Sequence, residues 1–457
     1  MSSPSRSGTQ TASLLRSEAE HIVRRLQAAG HVAVFAGGSV RDALLGYAPT
    51  DYDVATSARP EDVEALFEHT VPIGRQFGIV LVPSGQHHFE VATFRKDDQY
   101  VDGRRPVAVE FTDIETDARR RDFTINAMFE DPVAGRILDF VGGRADLEAG
   151  IVRAVGNARD RFAEDHLRLL RAVRFSSRLG FPIERETLDA VVHAAATITK
   201  VSAERIGDEL VRMLTEGRAR QSFELLDQTG LLAHVLPEIS ELKGCEQSPE
   251  HHPEGDVFVH TMLCLGHLPA GCSETLAFGV LLHDVAKPLC AGTKPDGSRT
   301  FYGHTRDGAE MSTQILRRLR RSNATIERVA FLVDQHLRHC SAAEMRASTL
   351  KRFLRQEGID ELMELARIDA LSSRGDLTHW NFCQSALAEL SDEQMKPPPL
   401  IRGEDLRELG MEPGPLFKTV LRSVEDAQLE GRLQSRQDAL DYVRREFLGE
   451  QQPPERS

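Results

Sequence analysis

Cysteine is scarce and poorly spaced for cross-linking. Six residues, Cys245, Cys264, Cys272, Cys290, Cys340 and Cys383, occur among 457 with no C-x-x-C pair. The pattern excludes a disulfide or zinc framework and predicts reduced, intracellular thiols. No run approaches the ~20 apolar residues of a membrane span, and the opening MSSPSRSGTQTAS lacks the apolar core of a secretory signal. The expected location is therefore cytoplasmic. Excess positive charge is missing too: 56 Lys and Arg face 70 Asp and Glu, a formal net charge of -14. That balance excludes a surface built throughout for nucleic acid, but it leaves room for a local basic groove, because the field at a site depends on how charge is distributed. No internal repeat is visible.

What is present is an ordinary globular composition, 40% hydrophobic and 28% charged, in a chain long enough for two to four domains. The front of the chain mixes strands and helices. HVAVFAGG predicts a first strand, SVRDALLG a helix with Ser39 as N-cap and its end at Gly46, DYDVATSA a second strand, and RPEDVEALFEH a helix from near Pro60. GIVLVPSGQHHFEVATF predicts a hairpin around Ser84 and Gly85. RKDDQYVDGRRP, with seven charges in twelve residues, predicts a mobile loop. From about residue 145 onward amphipathic helical patterns dominate, including AEDHLRLLRAVRFSSRLG, SAERIGDELVRMLTEG and RQSFELLDQTGLLAHVL. Breaks fall at SPEHHPEGD, GTKPDGSRTFYGH and DEQMKPPPLIRGED.

Two constellations carry chemistry in the front half. If TDYDVAT is a strand, its period of two puts Asp51 and Asp53 on one face and Tyr52 on the other. Two hard carboxylates can hold Mg²⁺, the glycines opening the next helix can offer N–H groups to phosphate, and Arg41 can add a charge-assisted contact. D-x-D alone is also a common solvated turn; its company decides. A helix from near Glu164 would set Asp165, Arg168, Arg171 and Arg174 three residues apart, a stripe with more guanidinium than carboxylate that asks for an anion. The alternative is an exposed, salt-bridged helix face. Asp165 with Arg168 could also read a base edge, the carboxylate accepting from an exocyclic amine and the guanidinium donating to a ring acceptor, which selects C and A over U and G.

In order over residues 35 to 175, GGSVRDALLG…TDYDVATSA, YVDGRRP, RRDFTINAM and RFAEDHLRLLRAVRF resemble the class II tRNA nucleotidyltransferases, the family of CCA-adding enzymes and bacterial poly(A) polymerases. The resemblance implies an α+β head of polymerase-β-type nucleotidyltransferase fold followed by an all-α neck, an HD-domain body and a tail. The divisions expected are a disordered tail at 1–15, head 16–145, neck 146–220, body 221–390, tail 391–450 and a disordered end at 451–457. It further implies catalytic Mg²⁺ on Asp51 and Asp53, triphosphate contacts from Gly38 and Arg41, and nucleotide binding by Arg121. Asp122 and Asn126 would shape the ribose pocket, Glu164, Asp165 and Arg168 would form the protein template for the base, and Arg171 and Arg174 would fall on nucleotide-binding positions. Glu90 is a candidate third carboxylate, with a plain strand residue as the alternative. The implied substrates are CTP, ATP and the tRNA 3′ end; no membrane and no obligate protein partner are expected.

Farther on, VFVHTM, LLHDVAKP, YGHTRDGAE, VDQHLRH and ARIDALSS set out His260, His283, Asp284, His304, His336 and Asp369 in the order H…HD…H…H…D. This resembles the HD phosphohydrolase superfamily and implies one or two divalent ions on a helical scaffold. Imidazole with carboxylate suits Mn²⁺, Ni²⁺, Fe or Zn²⁺, and the implied activity is phosphatase or cyclic phosphodiesterase on RNA ends. His251 and His252 either line the same pocket or sit in a loop, the loop being favoured, and Arg317, Arg318, Arg320 and Arg321 read as a solvated helix face rather than a phosphate contact. Three rivals to CCA addition stand. One is an A-adding enzyme or a poly(A) polymerase; against processive polyadenylation, the acidic C-terminal part lacks a basic tail to hold RNA. Another is a CC-adding enzyme, disfavoured by the presence of RKDDQYVDGRRP. The third is a phosphohydrolase with an inert head.

Overall fold

The computed structural model describes residues 6–97, 109–250, 252–390 and 395–449. Its contacts fall into two compact units. The first runs to Glu241 and takes in Pro269–Gly271 and Leu316–Arg321; the second comprises Leu242–Leu268, Cys272–Ile315 and the chain from Ser322.

The first unit is built on a seven-stranded sheet. In chain order the strands are β1 (Ala33–Ala36), β2 (Asp53–Thr56), β3 (Val71–Gly74), β4 (Ile79–Ser84), β5 (His87–Thr93), β6 (Arg95–Asp97), β7 (Val109–Phe111), β8 (Phe129–Asp131) and β9 (Arg136–Leu138). The sheet order is β3-β4-β5-β2-β1-β8-β9, and β6 with β7 forms a separate ribbon. Only the β2–β5 pair in the large sheet is parallel. All four residues of β1 are buried because both faces of the sheet are covered. Val34 and Ala36 pack with Ala55, Phe94, Ala118 and Phe129, while Phe35 on the opposite face meets Tyr52 at 4.8 Å between ring centroids and the Arg16 guanidinium at 5.6 Å. Truncating Phe35 to alanine would cost roughly 3–5 kcal/mol.

Several local expectations need correction. Ser39 is not the N-cap: the Gly38–Leu44 helix is entered through Gly37 at φ 75°, and the Ser39 hydroxyl donates to the Ala36 carbonyl at 3.3 Å. β2 begins at Asp53, so Asp51 lies in the connection before the strand, though exposed Asp51 and Asp53 still flank buried Tyr52. The N-terminal stretch expected to be disordered to residue 15 is helical over Arg6–Ala28. Arg95–Asp97 pairs with Val109–Phe111 rather than opening a loop; the rest of that expected loop, and the expected disordered end, lie outside the described residues. The hairpin around Ser84 stands, with Ser84 opposite His87 and Gly85 at φ 59°, a two-residue connection with glycine first.

The single helix expected from Glu164 is broken. Ala158–Glu164 stops at Asp165, whose backbone is extended (φ -137°, ψ 104°), and a second helix runs Arg168–Leu179 to a left-handed Gly180. RQSFELLDQTGLLAHVL likewise splits into Ala219–Gln228 and Leu232–Val235. Ala219–Gln228 packs on Arg168–Leu179, so residues 221–241, expected to start the body, group with the first unit.

Among the described residues the second unit is helical apart from the hairpin strands Gly292–Thr293 and Arg299–Thr300. Its middle packs the helices Val257–Gly266, Glu274–Leu282, Asn323–Gln335 and Ile359–Ser372 against one another. Farther on, Ile401, Leu406, Val420, Val424, Leu440 and Val443 form a core of their own.

Candidate active site

A cleft of about 850 Å³ opens in the first unit between the acidic edge of the sheet and the Arg168–Leu179 helix, lined by eight arginines and six carboxylates. Asp51 and Asp53 stand at one end. The parallel register of β2 with β5, Val54 opposite Val91, sets Glu90 beside Asp53. Crowding by protein atoms, then the charges of Asp51 and Glu90, push the Asp53 carboxyl up to about 6 against the pull of Arg121. Asp53 nevertheless keeps an exposed side on the cleft. Three mutually repelling carboxylates beside open space form a hard-oxygen set that a divalent cation relieves.

The basic wall is held in place by carboxylates. Arg41, only 1% exposed, donates through Nε to Asp42 at 2.8 Å and through Nη1 to Asn126 Oδ1. Gly38, one turn earlier, lines the same cleft. Arg121 is tethered to Asp117 at 3.1 Å and lies over the Phe129 ring. Asp122 accepts from the Phe123 N–H at 2.8 Å, Asn126 Nδ2 at 3.2 Å and Arg171 at 2.6 Å. Burial alone would raise its pKa, but Arg171 and Arg168 bring it down to about 2. Arg174 pairs with buried Glu209 at 2.6 Å and stacks 4.3 Å over the Phe175 ring. The stripe read as short of carboxylates finds carboxylate partners on neighbouring segments.

The helix break explains the next pair. Asp165 ends one helix, accepts from the Leu167 N–H at 3.1 Å and is clamped by Arg205 at 2.8 Å. Arg168 opens the following helix and donates to Glu164 at 2.7 Å, the Arg161 carbonyl at 3.0 Å and the Arg120 carbonyl at 2.9 Å. Both side chains line the cleft. Arg205, Glu209 and Asp117 were missed; the only sequence signal for the first two was the polar face of Ala203–Thr215. The helix carrying the basic cluster ends at Arg318, so only Arg317 and Arg318 lie on a helix face; Arg318 pairs with Glu238 at 2.8 Å, and Arg321, beyond the helix and largely covered, pairs with Asp208 at 2.7 Å.

The second unit gathers all six H…HD…H…H…D residues. His260 donates from Nδ1 to Glu254 at 2.6 Å, His283 to the Val280 carbonyl at 2.9 Å, His304 to Phe301 and His336 to Val333, both at 2.7 Å. Carbonyls and ionised carboxylates only accept, so in neutral rings Nδ1 carries the proton and each Nε2 lone pair is left free. These nitrogens lie close to carboxylates, and that of His260 also to the Cys264 thiol at 3.4 Å. His260 Nε2 lies 3.1 Å from Asp369 Oδ1, and Asp284 lies 3.2 Å from His283, 3.5 Å from His304 and 3.9 Å from His336. Asp284 has an ion pair to Lys287 at 2.7 Å, yet neither of its oxygens receives an aligned hydrogen bond, and His304 Nε2 is also unpartnered. Buried polar atoms left unpaired are costly; a cation satisfies them together. With the protein's own charges alone, burial holds His336 down to about 3, whereas His283, which burial would also lower, is carried up to about 9 by Asp284.

His252 sits in a loop and also meets the cluster: its ring lies 4.9 Å from that of His260 and it donates to Glu254 at 2.8 Å. His251 lies outside the described residues. Cys264, Glu254 and Lys287 were not anticipated, although Cys264 follows His260 by one helical turn and Lys287 follows Asp284 by three residues.

Sheet, neck and buried His-Asp cluster define a polymerase-β-type head joined to a helical HD body. Family models described as "Poly A polymerase head domain", "Probable RNA and SrmB- binding site of polymerase A" and "HD domain" match residues 33–153, 180–243 and 260–374. The chain is similar to a CCA-adding enzyme of Bacillus velezensis, 43% identical over 227 residues that cover 50% of this chain and 56% of that one. It is 33% identical over 436 residues to an A-adding tRNA nucleotidyltransferase of Deinococcus radiodurans, covering 90% and 95%. A crystal structure of the Bacillus stearothermophilus CCA-adding enzyme in complex with CTP superimposes with a TM-score of 0.74 at 27% identity, covering 95% of this chain and 98% of that one. The chain spans about half the length of several curated CCA-adding relatives it matches. It belongs to the family of CCA-adding enzymes and bacterial poly(A) polymerases. No described helix is long and apolar enough to cross a membrane.

Proposed function

We propose that the protein adds C, C and A to the 3′ end of tRNA from CTP and ATP without a nucleic-acid template. The observation that carries this reading is the placing of the acidic edge Asp51–Asp53 and the pair Asp165–Arg168 on one cleft. Asp51 and Asp53, with Glu90 beside them, would hold magnesium, which when bound supports attack of the RNA hydroxyl on the α-phosphate and steadies the leaving pyrophosphate. Gly38, Arg41 and Arg121 face the triphosphate, and Asp122 with Asn126 bounds the ribose.

Base choice follows from hydrogen-bond capacity. Arg205 and the Leu167 N–H each take one lone pair of the Asp165 carboxylate, leaving others for an exocyclic amine. Three of the five Arg168 N–H groups are engaged with Glu164 and two carbonyls, leaving donors for a ring nitrogen. Cytosine and adenine present an amine beside an acceptor; uracil and guanine set a carbonyl against the carboxylate. Arg171 and Arg174, each tied to a carboxylate, supply fixed positive charge around the bound nucleotide.

The HD cluster is read as a site for Mn²⁺, Ni²⁺ or a similar dication serving hydrolysis of terminal phosphates or 2′,3′-cyclic phosphates. The head, neck, body and tail division and a cytoplasmic location complete the reading. An A-adding role is the second reading, favoured by the Deinococcus relative matched over almost its whole length. Incubation with tRNA ending at the discriminator base, at C and at CC, each nucleotide supplied alone, distinguishes them. CCA addition requires CTP use on the first two and ATP use on the third; ATP use on CC ends alone would establish the A-adding role, and no incorporation would remove both.

A further inference from the structure

The reading of the buried His-Asp cluster as a metal site leaves Cys264 unexplained. This thiol is fully buried on the Val257–Gly266 helix, with Sγ 3.4 Å from His260 Nε2. The same Nε2 lies 3.3 Å from His283 Nε2 and 3.1 Å from Asp369 Oδ1. All four donor atoms fall within 4.8 Å of one another. Four ligands around one tetrahedral ion, at bond lengths of ~2.0–2.3 Å, stand roughly 3.3–3.8 Å apart. The three separations from His260 match the edges of such a tetrahedron within a few tenths of an ångström.

All four are also metal-ligand atom types, the two imidazoles held ready by the turns of their rings. With Nδ1 of His260 turned to Glu254 and Nδ1 of His283 turned to Val280, the Nε2 atoms of both rings face each other and a carboxylate. A sulfur completes the ring of electron-rich atoms. A second group, Asp284, His304 and His336, offers only nitrogen and oxygen.

We infer that Cys264 is a metal ligand, so that His260, Cys264, His283 and Asp369 form a site for a thiophilic dication such as Zn²⁺ or Co²⁺, while the Asp284 group holds a harder ion. The thiol gives up its proton to solvent base on binding, and the ion gains a thiolate bond; no oxidant or reductant is involved. Thiolate selects borderline-soft ions and strongly disfavours Mg²⁺. The two halves of one cluster therefore differ in metal preference, and the magnesium-type carboxylates of the head do not compete for the same ion.

The inference rests on the metal reading of the cluster, and the test separates the two. The full-length protein, stripped with chelator, is titrated with Co²⁺. Wild type is expected to show visible ligand-field bands together with a near-ultraviolet sulfur-to-cobalt charge-transfer band. Cys264→Ser should lose the charge-transfer band and bind its first equivalent roughly 10-fold or more weakly, and Cys340→Ser should keep both. Zinc-loaded wild type should show one sulfur neighbour at about 2.3 Å by X-ray absorption, a measurement that stands even if the variant fails to fold. Cobalt bound without the charge-transfer band, or a band unchanged in Cys264→Ser, would overturn the thiolate ligand and leave the metal site standing. Failure to bind cobalt or zinc at all would overturn both.

Discussion

The cleft of the first unit and the His-Asp cluster of the second solve opposite electrostatic problems. In the cleft, three lining arginines already have carboxylate partners: Arg168 has Glu164, Arg171 has Asp122 and Arg174 has Glu209. These pairings orient the side chains before substrate arrives, so little reorganisation follows binding. In the cluster, imidazole nitrogens and carboxylates converge and both Asp284 oxygens lack an aligned hydrogen bond. Order there depends on an ion the protein must acquire. The cleft is therefore expected to tolerate chelation as a fold while losing activity, whereas the cluster should lose local order with its metal.

The largest effect that sharpens this contrast is removal of the head's carboxylates. Asp51→Ala or Asp53→Ala should reduce nucleotide addition by on the order of 10³-fold or more, equivalent to several kcal/mol of transition-state stabilisation, with tRNA binding within a few-fold and cobalt uptake by the HD cluster unchanged. Single-turnover incorporation and filter binding on the same preparations measure both. Near-normal incorporation in either variant would break the assignment of the acidic edge.

The converse experiment acts on the cluster. His283→Ala should weaken metal binding roughly 10–100-fold, abolish any release of phosphate from 2′,3′-cyclic or 2′-phosphorylated ends and leave nucleotide addition within about twofold. Elemental analysis with a phosphate-release assay checks it; loss of nucleotide addition in proportion to metal would show that the two regions are not independent.

Arg205 tests whether pre-organisation matters. Arg205→Ala leaves the Asp165 carboxylate without its clamp, and the lost charge-assisted hydrogen bond is worth roughly 1.5–3 kcal/mol. Part of that should appear as about tenfold weaker discrimination against UTP, with the rate in saturating CTP falling less. Equal loss for all four nucleotides would indicate a purely structural role for Arg205.

The smallest effect is a pH dependence of stability. Asp122 titrates near 2 in the fold against an ordinary value of 3.8. A carboxylate with a depressed folded pKa contributes stability above its unfolded pKa and loses it as pH falls through the folded one, so the window runs from about pH 4 down to about pH 2. The contribution is roughly 2 kcal/mol. Urea unfolding of Asp122→Asn beside wild type should show a shallower acid slope in that window; identical slopes would mean that Arg171 does not hold Asp122 ionised.

How far the sequence could be read depended on whether an interaction is local. The alternation Asp51, Tyr52, Asp53 and the glycine hairpin at Gly85 are short-range, and both were legible. So was the H…HD…H…H…D order, because each residue carries its chemistry in its own side chain. The break at Asp165 was not legible, since AEDHLRLL has good helical periodicity; the extended residue is held there by Arg205, forty positions away. The pairing of the arginine stripe was hidden for the same reason, its partners Asp122 and Glu209 lying on other segments. Cys264 was visible one turn after His260, but nothing in the spacing said that His283 and Asp369 would converge on it.

The central claim is that Asp165 and Arg168, held by Arg205 and Glu164, read the base. It is tested most directly by measuring incorporation of CTP, ATP, UTP and GTP by Asp165→Ala on tRNA ending at the discriminator base and at CC. The account predicts slower use of CTP and ATP and a gain in relative UTP use, because the carboxylate that rejects a carbonyl edge is gone, at ~1–3 kcal/mol per mismatched group. Selectivity and rate both equal to wild type would contradict it and leave the helix break as a structural feature alone.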